Sequence, residues 1–315
     1  MNLKQQLESL GCRVAVLCGG RSNEREVSLV SGRSVAQALA DREVPHDLFE
    51  LSENALPDKL DPRVHLVLPV IHGTYGEDGG LSADLDRGGF VYAGCDASSS
   101  VLCFDKLSSK GIAARVGLTV APERWLQAGQ SVDFEDLASD LAPPLILKPR
   151  RDGSSVGLHL VSDAAGLAAA EPDLNRTDYL AEPFYPGYDL TVGIVDGRAL
   201  GVVGVHSEGG LYDYQHKYTS GLSRYEVPAR IGEELAERLR DWSETIFRAC
   251  GCRDLARVDY RLSPDGGVIF LEINTLPGMT PTSLLPKSAQ CTGLSFEDLV
   301  LKWVQLSLNR YRDRL

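Results

Sequence analysis

The period of the apolar positions changes along this chain, and the changes divide it. Residues 13–17 form a short apolar run that ends at Gly19-Gly20, after which Val27, Val30, Ser34, Val35 and Leu39 recur at helical spacing. The chain therefore opens as strand, glycine loop and helix. A second apolar run at residues 64–71 leads into His72-Gly73-Thr74-Tyr75-Gly76-Glu77-Asp78-Gly79. Ligands bind at the carboxyl ends of strands in open α/β sheets, so both polar loops are expected to face one crevice. Past Tyr92-Ala93-Gly94 the pattern predicts a linker, a helix carrying Asp105, Lys106 and Lys110, and a strand at residues 145–148 that runs into a Gly/Ser loop. From about Pro183 the strands lengthen: residues 190–195 and 200–205 flank Asp196-Gly197, a strong hairpin signal, and a helical stretch over residues 233–250 ends at Gly251. The expected fold is α/β (α+β) in three domains: an N-terminal open parallel α/β, Rossmann-like domain over residues 1–98, a central domain over 99–183 and a C-terminal domain over 184–315.

The last hairpin carries the most chemistry. Residues 256–262 alternate, Ser263-Pro264-Asp265-Gly266 turns the chain, and residues 268–274 return. Alternate side chains share a face, so Arg257 lies with Asp259, and Glu272 with Asn274. A two-residue turn at Asp265-Gly266 would set Asp259 opposite Glu272 and Arg257 opposite Asn274. A four-residue turn would keep the face, and an odd-length loop would spoil it. Two carboxylates and a carboxamide on one face are the hard oxygen donors that magnesium prefers, with phosphate oxygens and water completing the octahedron. The Pro and Gly of Thr275-Leu276-Pro277-Gly278-Met279-Thr280 stop the strand and can present backbone N–H groups to an anion. The plainer alternative is a solvated sheet face whose acids pair with Arg257 and Arg261.

A lysine at a strand end followed by a loop of glycines and hydroxyls, Lys148-Pro149-Arg150-Arg151-Asp152-Gly153-Ser154-Ser155-Val156-Gly157, can fold over phosphates. It is not a G-x-x-x-x-G-K-[ST] loop, and no G-x-G-x-x-G follows the first strand, so P-loop and dinucleotide-redox readings lose. Composition narrows the field further. With 315 residues, 43% hydrophobic and 24% charged, the chain is globular throughout. A net charge of −12 argues against nucleic acid as a partner. Its opening carries no charged-then-apolar leader, and its first apolar run is too short to cross a bilayer, so a cytoplasmic protein without membrane association is expected. The seven scattered cysteines read as reduced thiols used in packing.

Taken together these motifs resemble the D-alanine:D-alanine ligases, a family of ATP-grasp fold. The resemblance runs through Gly19-Gly20-Arg21-Ser22-Asn23-Glu24-Arg25-Glu26-Val27-Ser28, the 72–79 loop, Asp105-Lys106, residues 148–157, Tyr212-Asp213-Tyr214-Gln215-His216-Lys217-Tyr218, Arg257-Val258-Asp259 and residues 271–284. It implies that the second and third domains are the two ATP-grasp domains. It implies that Glu24 holds the ammonium of a first D-alanine with Ser154 and Tyr218 as hydrogen-bonded partners, and that His72 contacts the same substrate. Asp259, Glu272 and Asn274 match a two-magnesium site, which manganese could also fill, and Arg257 with the Gly278 N–H matches the pair that steadies an oxyanion. Ser283 and Leu284 match contacts to the second D-alanine. Lys106, Lys148 and Lys217 match phosphate-binding lysines, and Glu182, Phe184 and Asp189 the adenine and ribose edge.

The sequence departs from the family at Asp189, where glutamate is usual, at Phe184, where tryptophan is frequent, and at Ser82-Ala83, where Gln-Gly is common. The resemblance implies D-alanine, ATP and magnesium as small-molecule partners, peptidoglycan precursor synthesis as the role, and a homodimer. The residues between 212 and 225 are expected to act as a lid. The rivals are a sister ligase taking another D-amino acid or a D-hydroxy acid second, and an ATP-binding regulator that has lost catalysis; the latter should lack a metal ligand or the oxyanion arginine, and this chain lacks neither.

Overall fold

The computed structural model describes residues 2–153, 156–207 and 223–312. After helix α1 (Leu3–Ser9), strand β1 (Arg13–Gly19) pairs in parallel with β2 (His46–Leu51) on one side and β3 (His65–Pro69) on the other, and β3 pairs in parallel with β4 (Val91–Tyr92). Successive β1 residues feed opposite faces. Val14 and Val16 pack with Val35 and Leu39 of α2 (Arg25–Asp41), while Ala15 and Leu17 pack with Leu81 and Leu85 of α3 (Gly80–Arg87). Val30, placed on the helical stripe by spacing, is 54% exposed; Leu29, Val35 and Leu39 carry the buried face instead. The final helix, α10 (Phe296–Arg312), returns to this first layer, where Leu299, Val300, Trp303, Val304 and Leu308 join the α2 side of the core.

The second sheet is antiparallel, in the order β5-β8-β6-β7, built from β5 (Arg124–Leu126), β6 (Leu145–Pro149), β7 (His159–Val161) and β8 (Tyr179–Pro183). Leu145, Leu147, Tyr179 and Ala181 turn toward α6 (Phe134–Asp140) and α7 (Ala164–Leu174). Alternation sends Lys148 and Glu182 to the opposite face. The third sheet, β11-β10-β9-β12-β13, is also antiparallel and comprises β9 (Tyr188–Val195), β10 (Arg198–Ser207), β11 (Ser223–Glu226), β12 (Leu255–Leu262) and β13 (Val268–Asn274). The β9–β10 hairpin turns at Asp196-Gly197 with φ of 58° and 70°, the paired left-handed geometry that a two-residue turn of this type requires.

One face of the third sheet buries Leu190, Val192, Ile194, Ala256, Val258 and Tyr260 in a core shared with α8 (Glu233–Ala249), α4 (Ala97–Phe104) and α5 (Lys106–Arg115). Its other face carries Asp189, Thr191, Arg257, Asp259 and Arg261 toward the second sheet, with α9 (Leu284–Gln290) anchored at one end where the Gly193 N–H donates to Ser288 Oγ at 2.9 Å. All seven cysteines are free thiols and six are buried. Among the described residues no helix is long and apolar enough to cross a membrane.

Candidate active site

The loop joining β12 to β13 has an odd length, five residues over 263–267, closed by the Ser263 N–H donating to the Gly267 carbonyl at 2.9 Å. Pairing accordingly begins with Leu262 opposite Val268 and continues to Tyr260 opposite Phe270. Carried on unchanged, that register would set Asp259 against Leu271 and turn Glu272 into the core. A bulge at Leu271 inserts the missing residue, so Asp259 faces Glu272 and Arg257 faces Asn274. The bulge restores what the loop would have spoiled.

On this face the Arg257 guanidinium forks onto Asp259, with Nε 2.9 Å from Oδ1 and the terminal nitrogen 2.7 Å from Oδ2. The Thr191 hydroxyl, opposite Asp259 in the adjacent strand, donates to the same carboxylate. Lys106 Nζ lies 3.6 Å from Glu272. Asn274 Oδ1 accepts the Leu276 N–H at 2.9 Å, which turns the chain out of the strand. Farther along, Arg261 donates to Asp189 at 2.8 Å and to the Tyr185 carbonyl at 2.9 Å, and its guanidinium stands 5.7 Å from the Phe184 ring centre. The arginines thus do pair with acids, as the plainer reading expected, but in a cleft where Arg257 and Asp259 are only partly accessible.

Across the cleft, Glu182 is 4% exposed and receives two lysines on Oε1, Lys110 at 2.6 Å and Lys148 at 2.7 Å. Burial pushes the Glu182 carboxyl up; the two ammonium groups more than offset this and hold it below its ordinary value. Lys110 is 1% exposed and also donates to Glu123 and to the Ala121 carbonyl. Asp105 caps α5 by accepting the Ser108 N–H at 3.2 Å and takes Arg150 in a fork at 2.9 and 2.7 Å. Arg151 adds a further bond to it at 2.8 Å, and Lys106 Nζ donates to the Asp152 carbonyl at 2.5 Å. The phosphate-type loop is therefore pinned to the start of α5, which brings Lys106 and Lys148 to one end of the cleft.

The third group comes from the first sheet. Glu24 stands at the N-terminus of α2 without capping it through its side chain; the residue is 8% exposed, and its carboxylate lies against two backbones. A Cβ on Gly153 would come within 2.7 Å of Glu24 Oε2, and one on Gly73 within 3.0 Å, so glycine at both positions lets the carboxylate seat between the loops. The two strand-end loops meet as expected, with Ser22 Oγ donating to the His72 carbonyl at 2.6 Å. Glu77 accepts the Gly73 N–H at 3.0 Å; burial, then the nearby Glu24 carboxylate, push the Glu77 carboxyl well above its ordinary range. Burial also holds the His72 imidazole below its ordinary value. Gly76 closes this loop so tightly that an added Cβ would sit 1.7 Å from the Ile71 carbonyl. Gly76→Ala is expected to cost about 3 kcal/mol by forcing the backbone apart, read as a lowered urea midpoint together with loss of activity.

Lys106, Lys148, Glu182, Phe184, Asp189, Arg257, Asp259, Glu272 and Leu284 line one cleft between the second and third sheets. Glu24 joins it through Gly153, which is part of the lining. Asn274 follows from the hairpin register, and Gly278 and Ser283 from the loop beyond it; a Cβ on Gly278 would lie 2.9 Å from Ser283 Oγ. The Ser283 hydroxyl is bonded to Thr280, accepting its N–H at 3.2 Å. Ser154, Lys217 and Tyr218, with Tyr212 and Tyr214, lie outside the described residues. Ser82 does not disturb the local helix, which starts after Gly79 at φ 88°.

Sequence reasoning missed Ser31, Thr191 and the burial of Lys110. Lys106 and Lys110 place like charges one turn apart, which is unfavourable on a solvated face and was the available sign that one of them is held elsewhere.

A parallel α/β layer followed by two antiparallel sheets, with lysines on one facing carboxylates on the other, defines the ATP-grasp ligase class. The family model described as "D-ala D-ala ligase C-terminus" matches residues 107–305. The D-alanine–D-alanine ligase of Nitrosospira multiformis is 42% identical over 300 residues, covering 94% of this chain and 96% of that protein. The one from Anaeromyxobacter sp. strain Fw109-5 is 40% identical over 293 residues, covering 92% and 94%. Among solved structures, the Bacillus anthracis D-alanine–D-alanine ligase complexed with ATP superposes with a TM-score of 0.83 at 28% identity, covering 96% of this chain and all of that one. VanG D-Ala:D-Ser ligase from Enterococcus faecalis gives 0.78 at 27% identity, covering 94% and 99%. The chain belongs to the D-alanine–D-alanine ligase family.

Proposed function

We propose that this enzyme joins two molecules of D-alanine at the expense of ATP, giving D-alanyl-D-alanine, ADP and phosphate. The observation that carries the reading is the convergence of Lys106 and Lys148 and the Arg257–Asp259–Glu272 face on one cleft, with the buried Glu24 carboxylate against Gly153 of its lining. A carboxylate oxygen of the first D-alanine attacks the γ-phosphorus of ATP, and ADP leaves. Lys106 and Lys148 meet the charge of the phosphates as the phosphoryl group moves in line. Glu24 takes the ammonium of that substrate. The amine of the second D-alanine then attacks the acyl-phosphate carbonyl and loses a proton, the Arg257 guanidinium and the Gly278 N–H stabilise the tetrahedral oxyanion, and phosphate departs as the amide forms.

Asp259, Glu272 and Asn274 would hold magnesium. The register puts their oxygens on one face, and Arg257 and Lys106 now meet the charge of the two acids. Two carboxylates and a carboxamide are hard oxygen donors with no His or Cys among them, a set that suits magnesium, with phosphate oxygens and water filling the remaining positions. When bound, the ion would neutralise phosphate charge and help orient the transferred group. A cytoplasmic location belongs to the same proposal, as does a dimeric state, the latter by family resemblance.

The test is to incubate the protein with Mg-ATP and D-alanine and record phosphate release and product mass, with L-alanine, D-serine and D-lactate in parallel. Phosphate and D-alanyl-D-alanine in equal amounts are expected. Preferential use of D-serine or D-lactate would move the assignment to a sister ligase, and absence of turnover with every amine would leave only a binding protein.

A further inference from the structure

His72 is matched by resemblance to a substrate contact, yet its ring is fully engaged within the protein. The imidazole is 3% exposed, with Nδ1 3.0 Å from the Leu276 carbonyl and Nε2 3.1 Å from Ser31 Oγ. Ser31 is wholly buried in α2, and its Oγ lies 3.3 Å from the Met279 backbone nitrogen. With the imidazole neutral, as its burial favours, only one arrangement of protons satisfies all five atoms. The Leu276 carbonyl can only accept, so Nδ1 carries the proton and donates. Nε2 is then an acceptor and takes the Ser31 hydroxyl proton. The Met279 N–H can only donate, and Ser31 Oγ accepts it.

The segment gripped in this way is the one that carries Gly278. It is fastened at Leu276 by the imidazole and at Met279 by the hydroxyl, with Gly278 between the two attachments. Gly278 belongs to the chain that leaves β13, while Ser31 and His72 belong to the first sheet and its helix. The two bonds therefore tie the segment that carries the Gly278 N–H to the first layer, on which Glu24 also sits.

We propose that Ser31 is a positioning residue for the second half-reaction: through His72 and the Met279 N–H it fixes the backbone donor that receives the oxyanion. This inference rests on the reading of Gly278 as that donor. It assigns Ser31 no contact with substrate. Loss of its hydroxyl leaves Nε2 without a donor and the Met279 N–H without an acceptor, so the segment loses one of these two hydrogen bonds to the first layer while Lys106, Lys148 and Glu182 are untouched.

The expected consequence is a fault in capture rather than in activation. With Ser31→Ala, dipeptide formation should fall about tenfold or more, as for loss of one oxyanion donor, with KM for ATP within about twofold of the parent. Phosphate released per dipeptide should rise above one, because acyl phosphate that is not captured is lost to water. Ser31→Cys, which retains a weak donor and acceptor of similar size, should recover part of the coupling. A merely structural role would lower the melting temperature and leave the ratio at one. Ser31→Ala with parental turnover and one phosphate per dipeptide, measured beside an inactive Arg257→Ala, overturns this inference alone. Parental turnover in Arg257→Ala would instead overturn the oxyanion reading on which it rests.

Discussion

Arg257→Ala is expected to lower the rate of dipeptide formation by a factor on the order of 10³, about 4 kcal/mol of transition-state stabilisation, while ATP still binds. Arg257 sits on β12, flanked by β9 and β13, with its guanidinium fixed by two bonds to Asp259. A donor held this way needs no reorganisation when charge develops on the substrate carbonyl. The nucleotide contacts assigned to Lys106, Lys148, Glu182 and Phe184 are on other strands and helices and remain in place. Arg257→Lys keeps the charge but not the planar fork, so it should regain only a small part of the rate. The comparison is made by quantifying D-alanyl-D-alanine and measuring ATP affinity calorimetrically on the same preparations. Parental turnover in the alanine variant would remove Arg257 from the mechanism.

Much of this site was legible because strands report their faces. A period of two puts Arg257 with Asp259, and Lys148 and Glu182 opposite the apolar residues of their strands, whatever the rest of the fold does. The loop length was not legible: Ser263-Pro264-Asp265-Gly266 looks like a short turn, and the extra Gly267 is cancelled by a bulge that no residue type announces. Long-range placement was hidden for a different reason. The apolar stripe of α10 says that a face is buried, not that the first sheet buries it. Ser31 is one serine among polar and apolar residues of a helix, and its importance comes from Leu276 and Met279, more than 240 residues away. Lys110 reads as a solvated helix residue until Glu123 and Glu182 are placed against it.

Lys110→Met should lower stability by about 3–5 kcal/mol, because it removes the cation that Glu123 and Glu182 share in the interior. Replacing the whole charged set would be far milder than breaking it, so Lys110→Met combined with Glu182→Gln should recover part of the loss, and the double-mutant cycle measures the coupling between the two. The pH dependence has a definite sign. Glu182 is held below its ordinary value of 4.5 by Lys148 and Lys110 against the upward push of burial, so the folded protein keeps it ionised where the unfolded chain takes up a proton. Its contribution is therefore complete above about pH 4.5 and is lost as the pH falls through the depressed folded value. Without Lys110 the folded value rises, and acid unfolding should begin at higher pH than in the parent. ATP affinity should weaken with it, since Lys148 becomes the carboxylate's main remaining counter-ion and is drawn toward Glu182 rather than toward phosphate. A Lys110→Met protein with the parental urea midpoint, acid limb and ATP affinity would show that the network carries neither stability nor the geometry of the nucleotide site.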